Sequence, residues 1–248
     1  SADVGTRLIG FFAITYLARV FGPENMGILA IGMAILTYAS IISTLGLPAL
    51  GVRYASEKKC STSLLVKRIS LARLFLSVIS FFVVVGVLLI WIKEQNIRNI
   101  SVFYLFSLFP SALMLEWLFQ GMSKMKTLAI GRILGMSVYL LIIIGVVSYS
   151  QNIYWVPIAW SFGLLFQAIF LWNRYNYYYK PNNNNKQSSS LFEIIKQAIP
   201  FGISGFISHS VNQFPIIYLG FVSTPESTGI FSVAFRLVIF LLVLDRVF

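Results

Sequence analysis

Blocks of about twenty apolar residues alternate with short polar stretches along this chain. A helix of that length crosses the hydrocarbon core of a bilayer. The pattern predicts eight spans, at 4–22, 27–47, 70–92, 100–120, 128–149, 153–172, 198–222 and 227–246. The strict two-residue alternation of a membrane β-barrel is missing, so the fold class is an all-α integral membrane protein. Helix breakers fall within or beside several spans: Gly46 and Pro48, Pro110, Pro157, Pro200 and Pro215. Each proline removes one backbone hydrogen bond and crowds the preceding turn. Kinks of this kind suit helices that bend during transport, and they also fit the ordinary frequency of proline in membrane helices.

The first helix pair is written twice. Tyr16-Leu17-Ala18-Arg19, Pro23-Glu24 and Gly27-Ile28 are matched by Tyr218-Leu219-Gly220-Phe221, Pro225-Glu226 and Gly229-Ile230, all offset by 202 residues. The match continues through Ile31 and Val233, Ile35 and Leu237, and Leu36 and Val238. Six spans separate equivalent points, so both copies face the same way, related by an axis along the membrane normal. The expected division is a six-helix first lobe over 1–172, a cytoplasmic linker over 173–190 and the start of a second lobe over 191–248. Two full copies of such a unit take roughly 400 residues, so the sequence reads as one lobe and the first third of another, in a two-lobe parallel repeat. In the linker, Tyr177-Tyr178-Tyr179 suits a lipid interface. The Asn182–Asn185 and Ser188–Ser190 runs read as a tether with nothing to bury. Residues 191–198 read as an amphipathic surface helix that leads to Pro200.

Composition agrees with the spans: 58% of residues are hydrophobic and only 11% charged, against roughly a quarter charged in soluble domains. The net charge of +11 resembles a nucleic-acid signal until its placement is considered. Arg53, Lys58, Lys59, Lys67 and Arg68 follow the second span, Lys124 and Lys126 the fourth, and Arg174, Lys180, Lys186 and Lys196 the sixth. The opposite connections hold only Arg19, Lys93 and Arg98. This is the positive-inside bias, which puts the even connections in the cytoplasm. Membrane lipids are the expected partners of these charges, and nucleic acid is not. Cys60 is the sole cysteine and His209 the sole histidine, which excludes thiolate or multi-histidine metal centres.

Charges within spans are costly and therefore informative. Arg236 lies about 15 Å into the eighth span, near the bilayer centre, and its repeat equivalent is Ala34. A functional role competes with a buried ion pair. Arg7 lies about 24 Å from the outer surface, where it lines a cavity or snorkels to the inner headgroups. Glu116 and Arg132 are equidistant from Lys124 in the connecting turn. They read as a structural ion pair or, for Glu116, an ion-coupling site. His209, Asn212 and Gln213 share one helix face and either face a cavity or bond between helices. Arg53 follows the Gly46-Leu47-Pro48 break and reads either as a phosphate ligand at the inner mouth or as a surface charge. There is no phosphate loop, nucleophile elbow or carboxylate pair within one span, so neither enzymatic activity nor a cofactor is expected.

Leu17-Ala18-Arg19-x-Phe21-Gly22-Pro23-Glu24-x-x-Gly27 resembles the first hairpin of the polysaccharide transport family, the Wzx-type O-antigen and capsule flippases of the multidrug/oligosaccharidyl-lipid/polysaccharide exporter superfamily. Thr44-Leu45-Gly46-Leu47 leading to Arg53-Tyr54-Ala55, Glu116-Trp117-x-Phe119-Gln120-Gly121, and Pro200 at the seventh span agree with it. The resemblance implies a MATE-like fold of twelve or more helices in two lobes, set in a bacterial or archaeal cytoplasmic membrane. It also implies a cationic central cavity for an undecaprenyl-pyrophosphate-linked oligosaccharide, delivered to the outer leaflet, with polysaccharide polymerase machinery as a further partner. Arg7, Arg53 and Arg236 then hold the pyrophosphate, because guanidinium forks match phosphate oxygens. A MATE-type drug/cation antiporter is the nearest alternative, and it calls for more membrane carboxylates. A membrane-embedded polysaccharide polymerase is the alternative from another class, and it calls for a large outer loop.

Overall fold

The computed structural model describes residues 2–57, 62–178 and 191–245, and among them every regular element is helical. The first, α1 (Ala2–Thr44), leaves helical geometry at Gly22 (φ 70°, ψ 176°) and resumes at Pro23. Glycine accepts this backbone because it has no Cβ to clash. Proline suits the first position of the new arm, where its absent N–H has no helical partner to lose. Asn25 Nδ2 donates to the Phe21 carbonyl at 3.1 Å, closing the arm before the bend. Gly10, Ile14 and Leu17 of one arm face Met26, Leu29 and Met33 of the other across a shared cavity. The hairpin of the sequence repeat is therefore turned at a single glycine.

A second corner at Leu45 and Gly46, both with positive φ, leads into α2 (Leu47–Glu57), followed by α3 (Thr62–Trp91). The fourth predicted span is not one helix. It is three pieces, α4 (Gln95–Leu105), α5 (Leu108–Ala112) and α6 (Glu116–Gly121). Pro110 has no N–H for the Phe106 carbonyl, which accepts from Phe109 N instead at 3.3 Å, tightening the turn. Next, α7 (Met125–Ile142) continues through a π-helical turn (Ile143–Val147) into α8 (Ser148–Ser150). It is followed by α9 (Trp155–Tyr178), α10 (Leu191–Val222) and α11 (Pro225–Asp245). Two boundaries differ from the sequence reading. The sixth span stays helical to Tyr178, and α10 runs unbroken through Pro200 and Pro215, so the surface segment and the seventh span are one helix. Among the described residues, Leu8–Thr44, Thr62–Trp91, Met125–Val147 and Trp155–Tyr178 are long and apolar enough to cross a membrane. The first of these, bent at Gly22, supplies two crossings.

The apolar core has two parts. One joins both arms of α1 to α4, α7 and α9 around Leu17, Leu29, Ile100, Tyr104 and Tyr139. The other joins α2, α3, α6 and α9 around Leu50, Ile69, Trp117, Phe119 and Leu171. Small residues let backbones approach, as expected where lipid supplies no hydrophobic drive between helices. A Cβ at Gly135 would sit 2.9 Å from the Gly163 carbonyl, and one at Gly163 would sit 2.8 Å from the Gly135 carbonyl. Phe75, Phe82, Val83, Leu89 and Ile90 of α3 are exposed, the outward apolar surface of a lipid-facing helix.

Gly51 gives a direct test of this packing. A Cβ there would meet the fully buried Trp117 ring at 2.5 Å. Overpacking of this kind costs about 1–3 kcal/mol. Gly86→Ala meets nothing within 4 Å and gains helix propensity of up to about 1 kcal/mol. Thermal unfolding in detergent is expected to show a lower Tm for Gly51→Ala and an unchanged or higher one for Gly86→Ala.

Candidate functional site

α3 is apolar outside and polar inside. Ser70, Arg73, Ser77 and Ser80 are all buried and recur at helical spacing on one face. Ser80 Oγ donates to the Ala39 carbonyl at 2.7 Å. Arg73, only 6% exposed, donates from Nη1 to the Met114 carbonyl at 2.9 Å and from Nη2 to the Ser111 carbonyl at 2.6 Å. Trp172 Nε1 donates to the Leu113 carbonyl at 2.8 Å. These are the carbonyls released where α5 ends and α6 has not begun. Irregular backbone at membrane depth persists only where such groups are satisfied, so Arg73 and Trp172 permit the break. Three nearby donors, Ser70 Oγ, Arg73 Nε and Trp117 Nε1, are buried without a protein acceptor.

The break presents Glu116 at the first residue of α6. Arg132 of α7 binds it through Nη2 to Oε2 at 2.8 Å and Nε to Oε1 at 3.2 Å, a two-point fork of the strong kind. Gln167 Nε2 of α9 also donates to Glu116 Oε1. One carboxylate thus ties three helices, and Arg73, Arg132 and Glu116 together leave one positive charge in the inner half of the bundle. Glu116 and Arg132 remain partly accessible, at 27% and 38%. Neither Arg73 nor Gln167 was a candidate from the sequence. The signal for Arg73 was the polar stripe at positions 70, 73, 77 and 80. Gln167 carries no comparable local pattern.

Of the remaining candidates, the two whose side chains are described, Arg53 and Gln213, lie outside this centre. Arg53 lies on α2, exposed, with Nε 3.0 Å from Glu57 Oε1 one turn on. Gln213 is half-buried on α10. Arg7 lies on the first arm of α1, His209 and Asn212 on α10 and Arg236 on α11; the side chains of these four lie outside the described residues. At the inner surface, Tyr54 and Gln197 bond side chain to side chain, joining α2 to α10. Lys124 Nζ stands 3.5 Å over the Tyr178 ring, a cation–π contact.

The outer half has the opposite character. A cavity of about 200 Å³ is lined by Met26, Met33, Met136, Tyr104, Tyr139 and Trp160 among others, with Ser232 contributed by α11 and no charged lining side chain. Its methionines are adaptable and polarizable, a lining suited to apolar or aromatic groups.

The helical hairpins, the broken fourth span and the apolar spans define an all-α multi-pass membrane protein. Structural comparison agrees. The MATE multidrug transporter DinF-BH superposes with a TM-score of 0.67 at 16% identity, over 96% of this chain and 58% of that one. An inward-facing MATE family transporter of the MOP superfamily gives 0.64 at 14% identity, over 95% of this chain and 57% of that one. The likeness is one of fold, and the chain spans under three fifths of the length of these transporters. No curated protein matches the sequence. The sequence model of the family described as "Polysaccharide biosynthesis protein" matches residues 1–244, and the chain belongs to that family.

Two substitution sets test the polar centre. Arg73→Leu orphans the Met114 carbonyl and leaves the Ser111 carbonyl with the Met114 N–H alone, at an expected cost of about 3–6 kcal/mol from two lost charge-assisted bonds. Arg73→Lys, a point donor without the fork, is expected to fall between it and the native chain. Folded yield and Tm in detergent report both. For Glu116→Ala, Arg132→Ala and the double change, a thermodynamic cycle is expected to return a coupling of about 1–3 kcal/mol. Additive losses would show that the pair stands together without interacting.

Proposed function

We propose that the chain belongs to a flippase that carries an undecaprenyl-pyrophosphate-linked oligosaccharide from the inner to the outer leaflet of a cytoplasmic membrane, for surface polysaccharides of the O-antigen or capsule class. The observation that carries this reading is the family match over nearly the whole chain on a transporter fold. Family and fold neighbours are transporters rather than enzymes. The basic lean of the membrane residues supports an anionic cargo: Arg7, Arg53 and Arg236 bind the pyrophosphate, and His209, Asn212 and Gln213 bond to the sugars as they pass. The isoprenoid tail stays in the bilayer. Glu116, held by Arg132 and Gln167, serves as a structural brace in this scheme. Polysaccharide polymerase machinery receives the product.

Drug/cation antiport is the second reading, favoured by the uncharged, methionine-rich and aromatic cavity. The two predict different cargo. In cells that depend on the gene, Arg236→Ala at unchanged membrane level is expected to lower surface polysaccharide about tenfold or more, the loss of one hydrogen bond to a charged group. Normal polysaccharide removes Arg236 from the mechanism. Loss of drug efflux with intact polysaccharide selects antiport.

A further inference from the structure

The inner end of the α7–α9 pair gathers cations on one seam. The two helices run antiparallel, with Gly135 against Gly163 at their crossing and Gly131 against Phe170 and Leu171 one turn inward. Lys124, at the head of α7, stands over the Tyr178 ring beyond them. Arg174 follows Gly163 by eleven residues, about three turns, so it lies on the face of α9 that packs on α7. Its guanidinium carbon is 5.3 Å from the Phe170 ring centroid. Helical side chains tilt toward the N-terminus, and the charge bias puts the start of α9 on the outer side. The guanidinium therefore leans back into the membrane, onto Phe170. Arg174 comes about 28 Å after Trp155, the first residue of α9, at the inner edge of a hydrocarbon core about 30 Å thick. That is the depth of lipid phosphate.

Arg174 is exposed and has no ion pair among the described residues. Phe166 and Ile169, deeper on α9, are exposed apolar surface. Cations at headgroup level above an apolar wall match one phospholipid, its phosphate on the guanidinium and ammonium and its chains along α9. The charge bias by itself spreads attraction to anionic lipid over the whole inner face. The rings under Lys124 and Arg174 fix it at one seam, because side chains already held on aromatic faces lose less freedom when a headgroup binds. Lys126 supplies the contrast. It is exposed at the same level. It precedes Gly135 by nine residues, two and a half turns, and so projects from the opposite face of α7. We propose that Lys124 and Arg174 form a binding site for one anionic phospholipid of the inner leaflet, which clamps α7 to α9 at their cytoplasmic ends. The site is independent of the cargo reading given above.

The test titrates the purified protein in detergent with short-chain phosphatidylglycerol or phosphatidylcholine and counts bound lipids by native mass spectrometry. One phosphatidylglycerol is expected to bind in preference to phosphatidylcholine. Lys124→Gln together with Arg174→Gln is expected to weaken that binding about thirtyfold, roughly fivefold for each cation, whereas Lys126→Gln changes it little. A loss from Lys126→Gln equal to that from either seam substitution overturns the site, because the attraction is then diffuse charge. Should the double variant not stay folded, the native protein decides the matter. Its phosphatidylglycerol is expected to leave as salt rises, and equal retention of the two lipids overturns the proposal. Undecaprenyl phosphate that displaces phosphatidylglycerol at a lower concentration also overturns it, because the seam then belongs to the cargo.

Discussion

The architecture depends on one guanidinium. Arg73 reaches across from α3 and takes the Met114 carbonyl, for which it is the donor, and the Ser111 carbonyl, which it shares with the Met114 N–H. An unsatisfied backbone carbonyl in that setting costs more than a short helix can return. Because Arg73 covers both, and Trp172 covers Leu113, the fourth crossing can stop and start again within the membrane. The restart puts Glu116 at the head of α6, turned toward α7 and α9. The tie among Glu116, Arg132 and Gln167 follows from that turn, and so does the placement of Trp117 and Phe119 in the inner core.

The first bundle is consequently layered by polarity. Its inner half holds charges, amides and hydroxyls bonded across helices. Its outer half holds methionines and aromatics around a cavity. The layers are joined by α3, whose buried face is hydroxyl and guanidinium and whose outer face is phenylalanine and aliphatic. Such inversion is sensible only where the solvent is lipid, since aliphatic side chains then lose nothing by facing outward. The interface with α10 and α11 is built differently, from Gly27, Gly46, Gly202, Gly220 and Gly229 meeting backbone or Ile31. Bonded side chains hold the bundle together, and close backbones, the Tyr54–Gln197 bond and a small apolar cluster around Ala30, Ala34 and Ile216 hold its neighbours against it.

The sequence disclosed what local composition controls. Span lengths, the sidedness of Lys and Arg, and the recurrence of Pro23-Glu24 as Pro225-Glu226 all depend on residues near each other in the chain. Glu116 and Arg132, equidistant from Lys124, could be set opposite each other by counting. What stayed hidden depends on partners far apart in sequence. Pro110 announces a kink, but a full break needs donors from Arg73 and Trp172, and nothing near residue 113 says that they arrive. Arg73 stands at the edge of its predicted span, and only the hydroxyls of Ser70, Ser77 and Ser80 on the same face mark it locally. The continuity of α10 through Pro200 was hidden for the reverse reason: a proline is a local signal, and tertiary packing overrode it.

The dependence on Arg73 has a consequence for biosynthesis. Its acceptors lie 38 and 41 residues later in the chain. At ribosomal rates of about 5–20 residues per second, those carbonyls emerge about 2–8 s after the guanidinium. During that interval α3 is a nascent helix with an unmatched charge near its cytoplasmic end, able to reach the inner headgroups by extending its side chain. The bonds that Arg73 makes in the finished bundle can close only once α5 and the turn into α6 have been synthesised.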